Sequence, residues 1–361
     1  MTTRRLASRR SDFGRRRILG VMAIVAVLAL VVSAVVVVQV LRTTPCDDVH
    51  FGSASGPVKA SSQPPPIGRL GIVRTLRQFV HGGSAAVFCD DFPDPSVLRL
   101  GDSYYAYATN TAGFNVPVLA THGLFGTGGR REALPKLPGW ASRDWTFHPS
   151  VLVRGHAYVL YYSARVTASG ANCLSVAFAT RPAGPFVDHS AAPLVCPPGG
   201  AIDPSVFVAA SGQAFLIWKN YDAIVSQPLS ADGASLIGTP SSLLTASQPW
   251  QDGSVEGPSM VGFAGRYYLF YAGNHWQTAG YAIGYATCAT PAGSCVDVPG
   301  PWLTSGKGVQ GPGAPGFFTD PSGQQWMSLA AWLNHRVGYP WGGRDLFVLK
   351  MSFPDGLPVA S

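Results

Sequence analysis

One short phrase recurs five times along this chain of 361 residues, at intervals of about 55, and each time it opens an apolar strand pattern. The phrases are Asp94-Pro95-Ser96-Val97, His148-Pro149-Ser150-Val151, Asp203-Pro204-Ser205-Val206, Glu256-Gly257-Pro258-Ser259-Met260 and Ala314-Pro315-Gly316-Phe317. A fixed period of this length, filled with strands and turns and lacking helical periodicity, predicts a β-propeller in which each repeat is one four-stranded blade. Five repeats give an all-β, five-bladed ring. Its innermost strands converge on one axis, so residues at the same place in different repeats face a common central cavity. Three of these places carry carboxylates: Asp94, Asp203 and Glu256.

The strand pattern inside the repeats supports this. Val97-Leu98-Arg99-Leu100, the turn Gly101-Asp102 and Ser103 to Ala108 read as a hairpin. Val151 to Tyr162, around Gly155-His156, and Met260 to Tyr271, around Ala264-Gly265, repeat it. Aromatic and β-branched runs flanking a two-residue turn are the hairpin signature. Leu174 to Ala179 and Tyr281 to Ala286 supply third strands. With 42 Gly and 30 Pro, turns should be abundant and helices scarce.

The charge is not spread along the chain. Residues 1–17 hold seven arginines against one acid, Asp12, which is +6 of the formal +7. The remainder is nearly neutral, so the basic balance does not imply a nucleic-acid partner. Residues 18–41 are apolar except Ser33 and Gln39, long enough at ~1.5 Å per residue to cross a ~30 Å hydrocarbon core. Arginines on the N-terminal side place the N-terminus in the cytoplasm and residues 42 onward outside. A cleaved signal peptide would have a shorter core and a small-x-small site, which Val35 to Leu41 does not offer. The expectation is a single-pass plasma-membrane anchor. Residues 42–67, rich in Ser, Pro and Gly, read as a linker, and 68–361 as the propeller domain. Residues 68–87 admit either a strand or a short helix, packing on the ring or helping to close it.

Six cysteines in an extracytoplasmic domain suit up to three disulfides. Local closure favours Cys288 with Cys295 and Cys173 with Cys196, which leaves Cys46 for Cys89. No C-x-x-C or Cys/His knuckle spacing points to zinc.

Three carboxylates in one cavity suit glycosidic chemistry. Inversion needs a carboxylic acid to protonate the leaving oxygen and a carboxylate, ~6.5–9.5 Å away on the opposite face of the sugar, to activate water. A third carboxylate near the acid would disfavour its ionised form. Phe92-Pro93-Asp94-Pro95-Ser96-Val97 with Tyr104-Tyr105, Ala201-Ile202-Asp203-Pro204-Ser205-Val206-Phe207, and Glu256-Gly257-Pro258 with Tyr267 to Asn274 together resemble glycoside hydrolase family 43. The resemblance runs over roughly residues 88–355. It implies an inverting hydrolase of arabinofuranosides, xylosides or related sugars, acting on polysaccharide of the cell envelope or its surroundings as a monomer. It also implies Asp94 as general base, Asp203 as the carboxylate that orients and tunes the acid, and Glu256 as general acid.

Two positions depart from the family pattern. Ala314 stands where family members often have a histidine associated with a central calcium ion, and the next histidine is His335. No cofactor is required on this reading, structural calcium being the lesser alternative. His148 occupies the equivalent place in the second repeat, where the family more usually has a small residue, as a contact for substrate or a displaced ion ligand. Trp140, Trp145, Trp250 and Trp276 are candidates for stacking on sugar rings. Arg344 matches a family arginine reaching the cavity, with a salt bridge to Asp345 as the alternative. The competing functions are an inactive propeller that binds carbohydrate or scaffolds, and a fructan-type retaining hydrolase with a nucleophilic Asp.

Overall fold

In the computed structural model, the protein is described over residues 52–53, 85–124 and 128–361. The basic tail, the apolar segment 18–41, most of the linker and residues 68–84 lie outside the described residues. Among those described, no helix is long and apolar enough to cross a membrane. The helices there are two single 3₁₀ turns, Pro249–Gln251 and Pro354–Gly356.

Five antiparallel sheets follow one another along the chain. Blade 1 comprises Ser96–Leu100, Ser103–Tyr107, Pro117–His122 and Arg131–Glu132. Blade 2 comprises Ala141–Arg154, Ala157–Val166 and Asn172–Ala179, with backbone bridges from Leu174 to Val195 and Phe178 to Val187 in place of a fourth strand. Blade 3 is regular, with Ala201–Val208, Ala214–Asn220, Ala223–Pro228 and Ser241–Thr245. Blade 4 runs through Val255–Phe263, Arg266–Gly273 and Ala282–Cys288 to the short strands Cys295–Asp297 and Leu303–Thr304; Gly52–Ser53 pairs with the latter. Blade 5 has Val309–Thr319, Gln325–Leu333 and Arg344–Ser352, and takes its outer strand, Ala85–Phe88, from the chain preceding blade 1. The ring therefore closes through hydrogen bonds between the two ends of the domain. Of the segment left open between strand and helix, residues 85–87 belong to this strand.

The hairpins follow the sequence reading. Leu100 faces Ser103 across Gly101-Asp102, and Phe263 faces Arg266 across Ala264-Gly265. Both residues of the second turn have positive φ (48° and 76°), the type I′ geometry that matches strand twist.

Blades are buried on both faces, which is why their strands read as nearly continuous apolar runs. Successive side chains of a strand point to opposite faces. In Ala157–Val166, Leu160 and Tyr162 pack towards blade 1, whereas Val159 and Tyr161 pack towards blade 3. The same division between blades 3 and 4, 4 and 5, and 5 and 1 gives the core its form of layers between neighbouring sheets. Trp140 belongs to the layer between blades 1 and 2, and Trp250 stacks on Tyr271 with centroids 5.9 Å apart. These two tryptophans are packing residues, contrary to the expectation that they stand free for sugar.

The repeated phrase has a common backbone conformation. Asp94, His148, Asp203, Gly257 and Ala314 all have positive φ, between 46° and 62°. Asp and His tolerate this region better than most residues, and Gly is free in it. In blades 2 to 5 the strand register breaks at this point, between Phe147 and Ser150, Ile202 and Ser205, Glu256 and Ser259, and Gly313 and Gly316. A bulge of this kind bends the strand and re-aims its side chain. The alignment also corrects the expected equivalence: Gly257, not Glu256, matches Asp94 and Asp203. Glu256 reaches the cavity from one residue earlier. Two of the serines that follow, Ser96 and Ser150, suture neighbouring blades, as does Ser328 from the second strand of blade 5. Ser96 Oγ donates to Pro149 O at 2.6 Å, Val206 N–H donates to Ser150 Oγ at 3.1 Å, and Ser328 Oγ donates to Pro95 O at 3.0 Å.

Candidate active site

The five left-handed residues of the repeated phrase all line one cavity of about 650 Å³. Asp94, Asp203 and Glu256 are brought together in it, with His148, Trp145, Trp276 and Arg344.

Each carboxylate is held differently. Asp94 accepts from Arg344 Nη1 at 2.6 Å through Oδ1, and from Thr109 Oγ1 at 2.6 Å through Oδ2. Thr109 Oγ1 in turn accepts the His148 N–H at 2.9 Å, tying the blade 1 carboxylate to the backbone of blade 2. Burial pushes the Asp94 pKa upward, but the Arg344 guanidinium, His148 and the Thr109 hydroxyl outweigh it and leave the pKa below the ordinary aspartate value. Arg344 is itself buried and pairs with Asp94, so the alternative partner Asp345 is not the one its guanidinium takes. Nη2 and Nε of Arg344 have no hydrogen-bond partner among the described residues.

Asp203 is the carboxyl that the site pushes upward. Burial raises its pKa to about 6; Glu256 and Asp94 add to this, against the lowering effects of His148 and the Gly257 N–H. That N–H donates to Asp203 Oδ2 at 2.9 Å, and the Asp203 N–H donates to Ser163 Oγ at 2.9 Å. His148 Nδ1 lies 3.9 Å from Asp203 Oδ1 and is buried without a hydrogen-bond partner among the described residues.

Glu256 is gripped through both oxygens. Lys219 Nζ donates to Oε2 at 3.0 Å, and Tyr281 Oη donates to Oε1 at 3.0 Å. Lys219 also reaches Ser254 Oγ at 3.1 Å. The Tyr281 ring lies 5.5 Å from the Arg344 guanidinium carbon, so the supports of Glu256 and of Asp94 share a wall. Thr109, Lys219 and Tyr281 carry no sequence signal of their own. Tyr281 opens a third strand and reads as core; Lys219 ends a second strand and reads as surface. Thr109 and Tyr281 meet Asp94 and Glu256 within blades 1 and 4, and Lys219 reaches Glu256 from the neighbouring blade 3.

The outer walls are aromatic. Trp276 stacks on Trp332 with centroids 6.2 Å apart and lies 5.9 Å from Tyr339. Tyr339 Oη donates to Asp91 Oδ1 at 2.6 Å, and the Arg344 N–H donates to the same oxygen at 2.9 Å. Trp145 lies within the long first strand of blade 2 rather than on a loop. A central ion would draw on donors at the axis, where Ala314 supplies no donor side chain. Among the described residues no group of three or more His, Cys, Asp and Glu is arranged to hold a metal ion. Ala314 thus supplies no side-chain ligand to such an ion, and no step below passes through one.

Two disulfides, Cys173–Cys196 and Cys288–Cys295, join the pairs expected from local closure. Cys89 is also disulfide-bonded; Cys46, its expected partner, lies outside the described residues.

A model of glycosyl hydrolases family 43 matches residues 86–358, the whole ring. The chain belongs to glycosyl hydrolases family 43. This family 43 member is a glycoside hydrolase with a five-bladed propeller. A probable arabinan endo-1,5-α-L-arabinosidase A of Aspergillus flavus is 27% identical to it over 291 residues, covering 70% of this chain and 86% of that protein. Among solved structures, a thermostable family-43 glycoside hydrolase aligns with a TM-score of 0.67 at 26% identity, covering 75% of this chain and 93% of that one. An endo-1,4-β-xylanase from Bacteroides thetaiotaomicron aligns with a TM-score of 0.65 at 25% identity, covering 77% and 97%.

Proposed function

We propose that this hydrolase cleaves arabinan or xylan with inversion, using Asp94 as general base, Glu256 as general acid and Asp203 as the residue that positions the acid. The observation that carries the proposal is the unequal treatment of three carboxyls in one cavity. Asp94 is kept ionised by Arg344 and Thr109, as a group that must take a proton from water requires. In the reaction it removes that proton as the water oxygen bonds to the anomeric carbon, while Glu256, protonated on an oxygen that bound substrate frees from Lys219 or Tyr281, gives that proton to the departing glycosidic oxygen. Asp203 holds the Gly257 N–H, the peptide immediately after Glu256, and so fixes the backbone from which the acid projects. Its charge also lies in the same field as the other two.

The polymer class follows from the relatives, which include an arabinan-cleaving and a xylan-cleaving enzyme by description. The full chain would be tested on linear arabinan, linear xylan and the matching aryl glycosides, with the anomer of the first product read by NMR. Inverted product from one of these polymers is expected. A retained anomer would favour a nucleophilic Asp, and no hydrolysis of any of them would favour a binding module. One chain supplies every residue of the cavity, so the proposal needs no second subunit.

The proposal includes an uncleaved anchor at residues 18–41, cytoplasmic arginines and an extracytoplasmic propeller. Its support is the length of the apolar run and the one-sided arginines. Detergent should be needed to release the full-length protein. Native protein shortened by about 40 residues in the medium would instead indicate a cleaved signal.

A further inference from the structure

On its blade 2 side the cavity holds a pair of polar groups that the catalytic arrangement does not use. Arg165 and Asn172 are directly opposed in the antiparallel pairing of the second and third strands of that blade. Residues opposed in this way project from the same face of the sheet. Both line the cavity, beside Trp145, Asp144 and Ile202. The Arg165 guanidinium carbon lies 3.4 Å from the centroid of the Trp145 ring, a cation–π contact that holds the guanidinium flat. Arg165 Nε and Asn172 Oδ1 are nevertheless buried without a hydrogen-bond partner among the described residues.

A donor and an acceptor left unfilled on opposed residues select their ligand. Buried polar groups are normally satisfied, and those that are not point to a missing partner. A carboxylate would accept from Arg165 but set a second acceptor against Asn172 Oδ1. An ammonium would do the reverse. A hydroxyl group serves both, accepting from Nε–H and donating to Oδ1. Trp145 keeps 42% of its surface exposed beside them and offers apolar area to the C–H face of a sugar ring.

The place of the pair in the ring decides which sugar it meets. The leaving group departs on the side of Glu256, which blade 4 carries and which Lys219 of blade 3 and Tyr281 of blade 4 support. Blade 2 does not adjoin blade 4. We propose that Arg165, Asn172 and Trp145 form a second sugar subsite, which binds through its hydroxyls the residue preceding the one whose bond is cut, on the side away from the leaving group. This rests on the hydrolase reading above and deepens it: the substrate presents at least two linked sugars on that side of the cut, rather than a single terminal one.

The test compares kcat/KM of the full chain on a linear trisaccharide and on the aryl monoglycoside of the same sugar, arabinose or xylose, whichever the unaltered protein cleaves. Arg165→Ala, Asn172→Ala and their combination should each lose more on the trisaccharide, the double variant by at least tenfold more. The two single losses should be less than additive, because one hydroxyl bridges both groups. Arg165→Lys, which keeps a charged donor, should lose less of the trisaccharide preference than Arg165→Ala and guards against a variant that fails to fold. Equal losses on the two substrates, or a loss of preference in Arg165→Lys as large as in Arg165→Ala, would overturn the subsite while leaving the hydrolase reading intact. Failure of the unaltered protein on both substrates would overturn the two together.

Discussion

Replacing Arg344 by Met should move the acidic limb of the pH profile without removing Asp94. In the native site the guanidinium donates to Asp94 at 2.6 Å, and both groups are largely shielded from water. Burial is the largest influence on Asp94 and acts upward; Arg344 is the largest that acts downward. A hydrogen bond to a charged group contributes about 1.5–3 kcal/mol, and one pKa unit corresponds to about 1.4 kcal/mol. Loss of Arg344 should therefore raise the Asp94 pKa. The general base works ionised, so the acidic limb of kcat/KM should shift upward, by about 1–2 pH units if the hydrogen bond is lost in full. Arg344→Lys keeps the charge and should shift it less.

Stability should follow the same sign. In the native protein the depressed pKa of Asp94 contributes stability that is present above the unfolded aspartate value and lost as pH falls through the folded one. In Arg344→Met the unpaired carboxylate costs about 3–5 kcal/mol at neutral pH, a deficit that shrinks on acidification as Asp94 becomes neutral. The assays are kcat/KM on an activated aryl glycoside between pH 4 and 9 and thermal unfolding over the same range. An acidic limb unmoved in Arg344→Met, or moved as far in Arg344→Lys, would show that Asp94 is not the group whose ionisation the rate reports.

Asp203→Asn should be slower than the native enzyme yet more stable at pH 7–8. The folded-state pKa of about 6 lies above the unfolded value, so stability falls as pH rises between about 4 and 6, and the substitution removes up to about 2–3 kcal/mol of that loss; equal stability curves for the two proteins would refute it. Glu256→Gln should lose several hundredfold or more on an alkyl glycoside but much less on a dinitrophenyl glycoside, whose leaving group departs without a proton; a uniform loss would remove Glu256 from the role of acid. Gly284→Ala should lower the unfolding temperature through overpacking of about 1–3 kcal/mol, because a methyl there would come 2.7 Å from Trp250; an unchanged midpoint would argue against Trp250 as a packing residue.

The sequence by itself determined the number of blades, the hairpins within them and the presence of Asp94, Asp203 and Glu256 in one cavity. It could do so because a repeat encodes its own symmetry: alternation specifies each strand, and the recurring X-Pro-Ser phrase marks where each blade begins. Two disulfides were legible for a related reason, since each closes a short local loop. Tertiary structure decided what no repeat carries. The one-residue offset of Glu256 depends on which residue takes the left-handed backbone, and Asp94, His148, Asp203, Gly257 and Ala314 share that conformation despite unlike side chains. Trp140 and Trp250 resemble Trp145 and Trp276 in sequence, but their surroundings place the first two in the packing and the others at the cavity. Thr109 and Tyr281 hold the carboxylates from just beyond strand ends of the same blade, and Lys219 from a strand of the next. Their roles arise from contacts across 15 to 37 residues of chain, and so from tertiary pairing and packing rather than from any local pattern.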